Sequence, residues 1–119
     1  MKINFDQQNQ TTFNAKVSER FVDSMSRYIN SGSNRLKNNY LLNSKVQEFD
    51  NFGYKDYTIQ MLQKQNSFGA EYRLVAVKDG ESAEKGILLG LKRSYRGIYE
   101  TFMNYDKSTF CRKMHPQNK

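Results

Sequence analysis

The residues best suited to chemistry lie together in the stretch Lys92–Tyr99, where three cations separate an apolar segment from an aromatic one. Lysine and arginine bind phosphates and carboxylates, and an exposed tyrosine can stack on a nucleic-acid base. From Lys85 to the end of the chain, eight Lys or Arg stand against two acidic residues, which accounts for +6 of the net charge of +7. This charge pattern favours a surface that binds an anionic partner.

The cations of this stretch are better candidates for binding than its aromatic residues. On a helix that begins after Ser94, Tyr95 and Tyr99 fall on the apolar stripe, so we expect them to face the core. Arg96 lies off that stripe and is expected to be exposed. The candidate contacts for phosphate or for an acidic partner are Lys92, Arg93, Arg96 and Arg73.

The residues needed for catalysis or for metal binding are scarce. Cys111 is the only cysteine and His115 the only histidine, so the chain can form neither an intrachain disulfide nor a cysteine-based zinc site. The acidic residues Asp79, Glu81 and Glu84 lack the ligand spacing of a calcium loop. We therefore predict no catalytic residues, no cofactor and no metal.

The glycine pair Gly86-x-x-x-Gly90 has apolar residues between its members and does not match a phosphate-binding loop. Glycines of this kind instead predict close packing of a strand against a helix or a neighbouring strand.

Length and composition favour one domain that spans residues 1–119. We expect 1–14 and 104–119 to be mobile ends, since the chain after Asn104 shows no periodicity. No apolar run approaches the roughly 20 residues needed to cross a bilayer, and Met1–Asp6 becomes polar too soon for a secretory signal. Together with the single cysteine, these features predict a cytoplasmic protein without a membrane partner.

Two helices are predicted near the N-terminus. Ser18 is a suitable N-cap for a helix whose apolar stripe includes Phe21, Met25 and Ile29. A second, less regular helix follows and ends near Asn51; its apolar residues are Leu36, Tyr40, Leu42, Val46 and Phe49. The residues before Val17 are compatible with an edge strand, a hairpin or a mobile arm.

The middle of the chain predicts a β-hairpin. From Tyr57 onward apolar and polar residues alternate, the tetrad Asn66-Ser67-Phe68-Gly69 is typical of a turn, and the alternation resumes from Tyr72 to Val77. Asp79-Gly80 ends the second strand.

The segment from Ala83 to Met103 has two interpretations. As one helix it would carry Gly86, Gly90 and Gly97, each costing about 1 kcal/mol relative to alanine. As a strand from Gly86 to Arg93 it places Ile87, Leu89 and Leu91 on one face, and Ser94 then caps a helix. The second interpretation is favoured.

These elements predict an α+β fold with two layers, in which a three-stranded antiparallel sheet carries two N-terminal helices and one C-terminal helix on one face. The predicted core is Phe21, Met25, Ile29, Ile59, Met61, Leu74, Ala76, Ile87, Leu89, Ile98 and Phe102.

The order of elements is similar to that of the RelE/ParE-type toxins, some of which cleave messenger RNA on the ribosome. The basic residues near Tyr95 and Tyr99, and Arg73 in the sequence Tyr72-Arg73-Leu74, carry the resemblance. It implies that Arg73, Arg93, Arg96 and Tyr99 would be the candidates for RNA cleavage.

Three functions are compatible with the sequence. The leading hypothesis is a non-enzymatic binding domain whose basic C-terminal surface contacts nucleic-acid phosphates or an acidic protein. The first alternative is an RNA-cleaving toxin of the RelE/ParE type. The second alternative is a protein-interaction or structural protein whose charge serves solubility only.

Overall fold

A computed structural model of the chain describes residues 17–115. The alternatives for the segment before Val17, including the expected mobile end at 1–14, lie outside this range, as does 116–119. The described chain contains the helices α1 (Glu19–Asn30), α2 (Arg35–Asp50), α3 (Tyr95–Met103) and α4 (Lys107–Met114), the strands β1 (Tyr57–Asn66), β2 (Gly69–Lys78) and β3 (Ile87–Lys92), and a short 3-10 turn, Ala83–Lys85.

The three strands form one antiparallel sheet in the order β1-β2-β3. A two-residue turn joins β1 to β2 between the paired residues Asn66 and Gly69, and the Asn66 side chain accepts a hydrogen bond from the Phe68 N–H. The helices pack against one face of the sheet, and the other face is called the open face below. The predicted α+β fold is confirmed.

Helix α1 forms where the N-cap and the apolar stripe predicted it. The Ser18 hydroxyl accepts a hydrogen bond from the Phe21 N–H at 3.0 Å, and Phe21, Met25 and Ile29 are buried at three- to four-residue spacing. Of the predicted core residues, Met61 and Ile87 are partly buried and the others are fully buried. Within the described chain, no helix has the length and apolar character needed to cross a membrane.

Helix α2 has buried apolar residues only from Leu42 onward. Leu42 and Phe49 are buried, whereas Leu36 and Tyr40 are 86% and 71% exposed. Asn39 joins this helix to α1, since its side-chain oxygen accepts a hydrogen bond from the Ser26 hydroxyl at 2.9 Å. The part of α2 before Leu42 is therefore held by polar contacts rather than by an apolar stripe.

Helix α4 corrects the expectation that the chain after Asn104 has no regular structure. The Asp106 carboxylate caps the helix by accepting a hydrogen bond from the Thr109 N–H at 2.7 Å, which also lowers the pKa of Asp106. Phe110 and Met114, one turn apart, are buried. The expectation is wrong because two apolar residues in one short helix are too few to produce a recognisable periodicity.

A set of rings, here called the aromatic cluster, fills the space between α2, α3 and α4. Phe49 is at its centre: its ring stacks on Phe102 with centroids 4.9 Å apart and meets Phe110 edge-on at 5.4 Å. The members are Phe49, Phe52, Phe102, Tyr105 and Phe110, all of them buried.

A bulge at Leu89 shifts the alternation of side chains along β3. Leu88 and Gly90 pair with consecutive residues of β2, so Leu89 has no direct partner there. After the bulge, Gly90 faces α3 and Leu91 is 41% exposed on the open face. The expectation that Leu91 shares a face with Leu89 is therefore wrong, because an extra residue reverses the strand's alternation.

Gly90 in β3 and Gly86 directly before this strand allow close packing, as the sequence predicts. A Cβ added at Gly90 would lie 2.8 Å from Cγ2 of Thr101 on α3. A Cβ added at Gly86 would lie 3.0 Å from Cβ of Val75 on the neighbouring strand. Gly90 therefore allows close contact with α3, and Gly86 allows close contact with β2.

Candidate anion-binding surface

The turn between β3 and α3 brings the candidate cations to one corner of the molecule. Ser94 starts α3, and its hydroxyl accepts a hydrogen bond from the Gly97 N–H at 3.1 Å. Within the described chain, the first turn of α3 carries no acidic side chain. Because a helix N-terminus has partial positive charge, this turn adds to the cationic character of the corner.

Lys92 is positioned by Gly97. A Cβ added at Gly97 would lie 2.9 Å from Cβ and 3.0 Å from Cγ of Lys92. The aliphatic stem of Lys92 therefore crosses the first turn of α3 in space that only glycine leaves free. Lys92 is exposed, and among residues 17–115 it forms no ion pair.

The two arginines of the corner have partners of different strength. Arg93 is exposed and donates a hydrogen bond of 3.4 Å to the backbone carbonyl of Phe68 in the β1–β2 turn. Arg96 is exposed, as predicted, and donates to the Glu100 carboxylate at 3.1 Å, one turn along α3. This hydrogen bond raises the pKa of Arg96, which therefore stays charged. We call Lys92, Arg93 and Arg96 the basic corner.

Arg73, the fourth candidate, does not join the basic corner. Its neighbour Tyr72 packs towards the core, so the alternation of β2 places Arg73 on the open face, opposite α3. There its guanidinium binds the Glu71 carboxylate at 2.8 Å. Three of the four predicted cations thus belong to the end of β3 and the start of α3, and Arg73 lies elsewhere.

Tyr95 and Tyr99 pack inward, as the helical stripe predicted. Tyr95 contacts the Tyr72 ring edge-on at 5.0 Å, and the Tyr99 ring lies 5.6 Å from that of Tyr28 on α1. Burial, followed by the proximity of Tyr28, raises the pKa of Tyr99. At neutral pH the Tyr99 phenol is therefore protonated.

The residues that could bind a metal do not form a cluster in the described part of the chain. Among residues 17–115, no three His, Cys, Asp or Glu side chains form a group that could hold a metal ion. Cys111 is half-buried on α4, with its sulfur 4.0 Å from the Phe52 carbonyl oxygen.

A groove that the sequence did not indicate lies between α1 and β1. It has a volume of about 590 Å³ and is lined by Arg20, Phe21, Ser24, Met61, Gln63 and Tyr95, among others. None of the described residues that line it is acidic. Arg20 was recognisable in the sequence only as an off-stripe residue, because the groove forms from segments that are distant along the chain.

Comparison of the chain with known protein families, with curated proteins and with solved structures finds no match.

Proposed function

We propose that this protein is a small non-enzymatic binding domain whose basic corner contacts an anionic partner, either the phosphates of a nucleic acid or the carboxylates of an acidic protein. The observation that carries the proposal is the packing of the Lys92 stem across Gly97. It holds a cation without an ion-pair partner, among the described residues, next to Arg93, Arg96 and the N-terminus of α3. Such a set of donors suits phosphate or carboxylate oxygens.

The tyrosines favour backbone contacts over base recognition. Tyr95 and Tyr99 are half-buried and packed against other rings, which makes them less available than exposed tyrosines for stacking on a base. An RNA-cleaving activity would need an exposed acid or base, and the packing of Tyr99 does not favour that alternative. We place the domain in the cytoplasm, where the unpaired thiol of Cys111 would stay reduced.

The test is binding of three fluorescent probes: a single-stranded RNA, a DNA duplex and polyglutamate. If three cations each neutralise one phosphate of the RNA, the logarithm of the affinity falls with the logarithm of salt concentration with a slope of about −2. Raising salt about tenfold should then weaken RNA binding about 100-fold. Fluorescence anisotropy measures this slope, and the probe bound most tightly at low salt identifies the class of partner.

Two variants of equal net charge locate the surface. Lys92→Ala/Arg93→Ala/Arg96→Ala should abolish most of the binding. Its matched control replaces the exposed cations of two other helices, Arg35→Ala/Lys37→Ala/Lys113→Ala, and should bind almost as well as the wild type. Equal losses in both variants would show that only net charge matters, and absence of binding to every probe at low salt would refute the proposal.

A further inference from the structure

The outer edge of β1 has backbone groups that the sheet does not use. β1 is an edge strand, paired with β2 on one side only. The Ile59 carbonyl points outward, since it accepts a hydrogen bond from the Ser18 N–H at 2.9 Å. Because backbone groups alternate along an antiparallel strand, the N–H and C=O groups of Met61, Gln63 and Gln65 point outward as well.

The chain itself pairs with the beginning of this edge. Val17 pairs with Ile59 in parallel orientation, and the chain then turns into α1 at Ser18. Among residues 17–115, no further strand pairs with the outer side of β1. An unpaired edge of this kind can accept an additional strand through main-chain hydrogen bonds.

The groove beside this edge supplies a place for side chains. It runs between β1 and α1, so alternate residues of an added strand would enter it, next to Tyr95 and Met61. Arg20 lies at the groove, is exposed, and forms no ion pair within the described range. A carboxylate on the added strand would complement it.

We propose that the outer edge of β1 from Met61 to Gln65, together with the groove along α1, binds an extended acidic peptide as an added β-strand. The positive net charge of the chain favours an acidic peptide as the added strand. Two copies paired through β1 would bring together two molecules of net charge +7, whereas an acidic peptide is attracted both to Arg20 and to the whole molecule. None of the three cations of the basic corner lines this groove, although Tyr95 in its lining directly precedes Arg96.

The probe is a labelled ten-residue peptide, about the length of β1, that alternates glutamate and valine. It should bind the full chain, and NMR amide exchange should slow at Met61, Gln63 and Gln65. The same peptide with lysine in place of glutamate should bind weakly. The basic-corner triple variant should keep this amide protection, which separates a failure of the present proposal from a failure of the proposed function.

Two substitutions at Gln63 isolate the backbone contribution. Gln63→Ala and Gln63→Pro both remove the side chain, but only proline removes the outward N–H. Gln63→Pro should bind the acidic peptide about fivefold more weakly than Gln63→Ala, as expected for one lost backbone hydrogen bond. Equal affinities of the two folded variants would overturn the proposal.

Charge reversal provides a test that leaves the strand untouched. Arg20→Glu should weaken binding of the glutamate peptide and strengthen binding of the lysine peptide, with unchanged thermal stability because Arg20 is exposed. Absence of peptide binding, or protection at β3 instead of β1, would contradict strand addition at this edge. Protection of the same amides without peptide, together with a dimer in light scattering, would assign the edge to a second copy and overturn the proposed occupant.

Discussion

The two ends of α3 differ in exposure and in chemistry. Its first turn lies at the basic corner, where Lys92 and Arg96 are exposed. Its last turn enters the aromatic cluster, where Phe102 is fully buried between Phe21 and Phe49. A single nine-residue helix thus connects a polar surface to the most densely aromatic part of the core.

This contrast indicates a separation of stability from binding. Burial of large rings supplies much of the free energy of folding, whereas exposed cations contribute little to it. Substitutions in the aromatic cluster should therefore change stability and leave the affinity of the folded protein for anions unchanged. Substitutions in the basic corner should change the affinity for anions and leave stability nearly unchanged.

The largest effect is expected from Phe49→Ala. Phe49 contacts four other aromatic rings and is 1% exposed, so its removal leaves a large cavity. The free energy of unfolding should fall by about 3–5 kcal/mol, measured by chemical denaturation. Tyr40→Ala on the same helix, at a position that is 71% exposed, should cost much less. Similar losses at both positions would contradict the central role of the cluster.

A smaller loss of stability is expected from Tyr105→Phe. The buried Tyr105 hydroxyl donates a hydrogen bond of 2.6 Å to the Leu89 carbonyl at the bulge of β3. Burial raises the pKa of Tyr105, so the hydroxyl remains a donor at neutral pH. Its removal leaves a buried carbonyl unpaired, and the free energy of unfolding should fall by about 1–3 kcal/mol. Tyr40→Phe, at an exposed position, is the control; an equal effect there would show that the link to β3 contributes nothing.

The elements that the sequence predicts correctly are those with local signals. Ser18 followed by a regular stripe identifies α1, and Ser94 separates β3 from α3. In the basic corner, exposure of Arg96 follows from helix periodicity. These features depend on neighbours a few residues apart along the chain, which sequence analysis can read.

The features that the sequence missed depend on distant contacts. Phe110 becomes a core residue because Phe49, far away along the chain, lies beside it. Leu91 is exposed because of a bulge at Leu89, which forms only when β3 pairs with the distant strand β2. Similarly, Arg20 and β1 line the same groove only in the folded chain. The groove therefore leaves no local pattern in the sequence.

The smallest change in stability is expected from Gly97→Ala, which acts at the opposite end of α3. Alanine favours a helix by about 1 kcal/mol over glycine, but its Cβ would lie only 2.9 Å from Cβ of Lys92. These effects oppose each other, so the free energy of unfolding should change by less than about 1 kcal/mol. RNA or polyglutamate binding should nevertheless weaken about two- to fivefold, because Lys92 must move away from the first turn together with the end of β3.

A double-mutant cycle separates this displacement from a general effect on the helix. In the Lys92→Gly background the whole stem, including its Cβ, is absent, so adding Gly97→Ala should not weaken binding further. An additive loss would mean that alanine disturbs α3 itself, and the contrast between its two ends would then fail. If Gly97→Ala weakens binding only when Lys92 is present, Gly97 acts by positioning one cation. The polar end of α3 is then specialised for binding independently of the aromatic end.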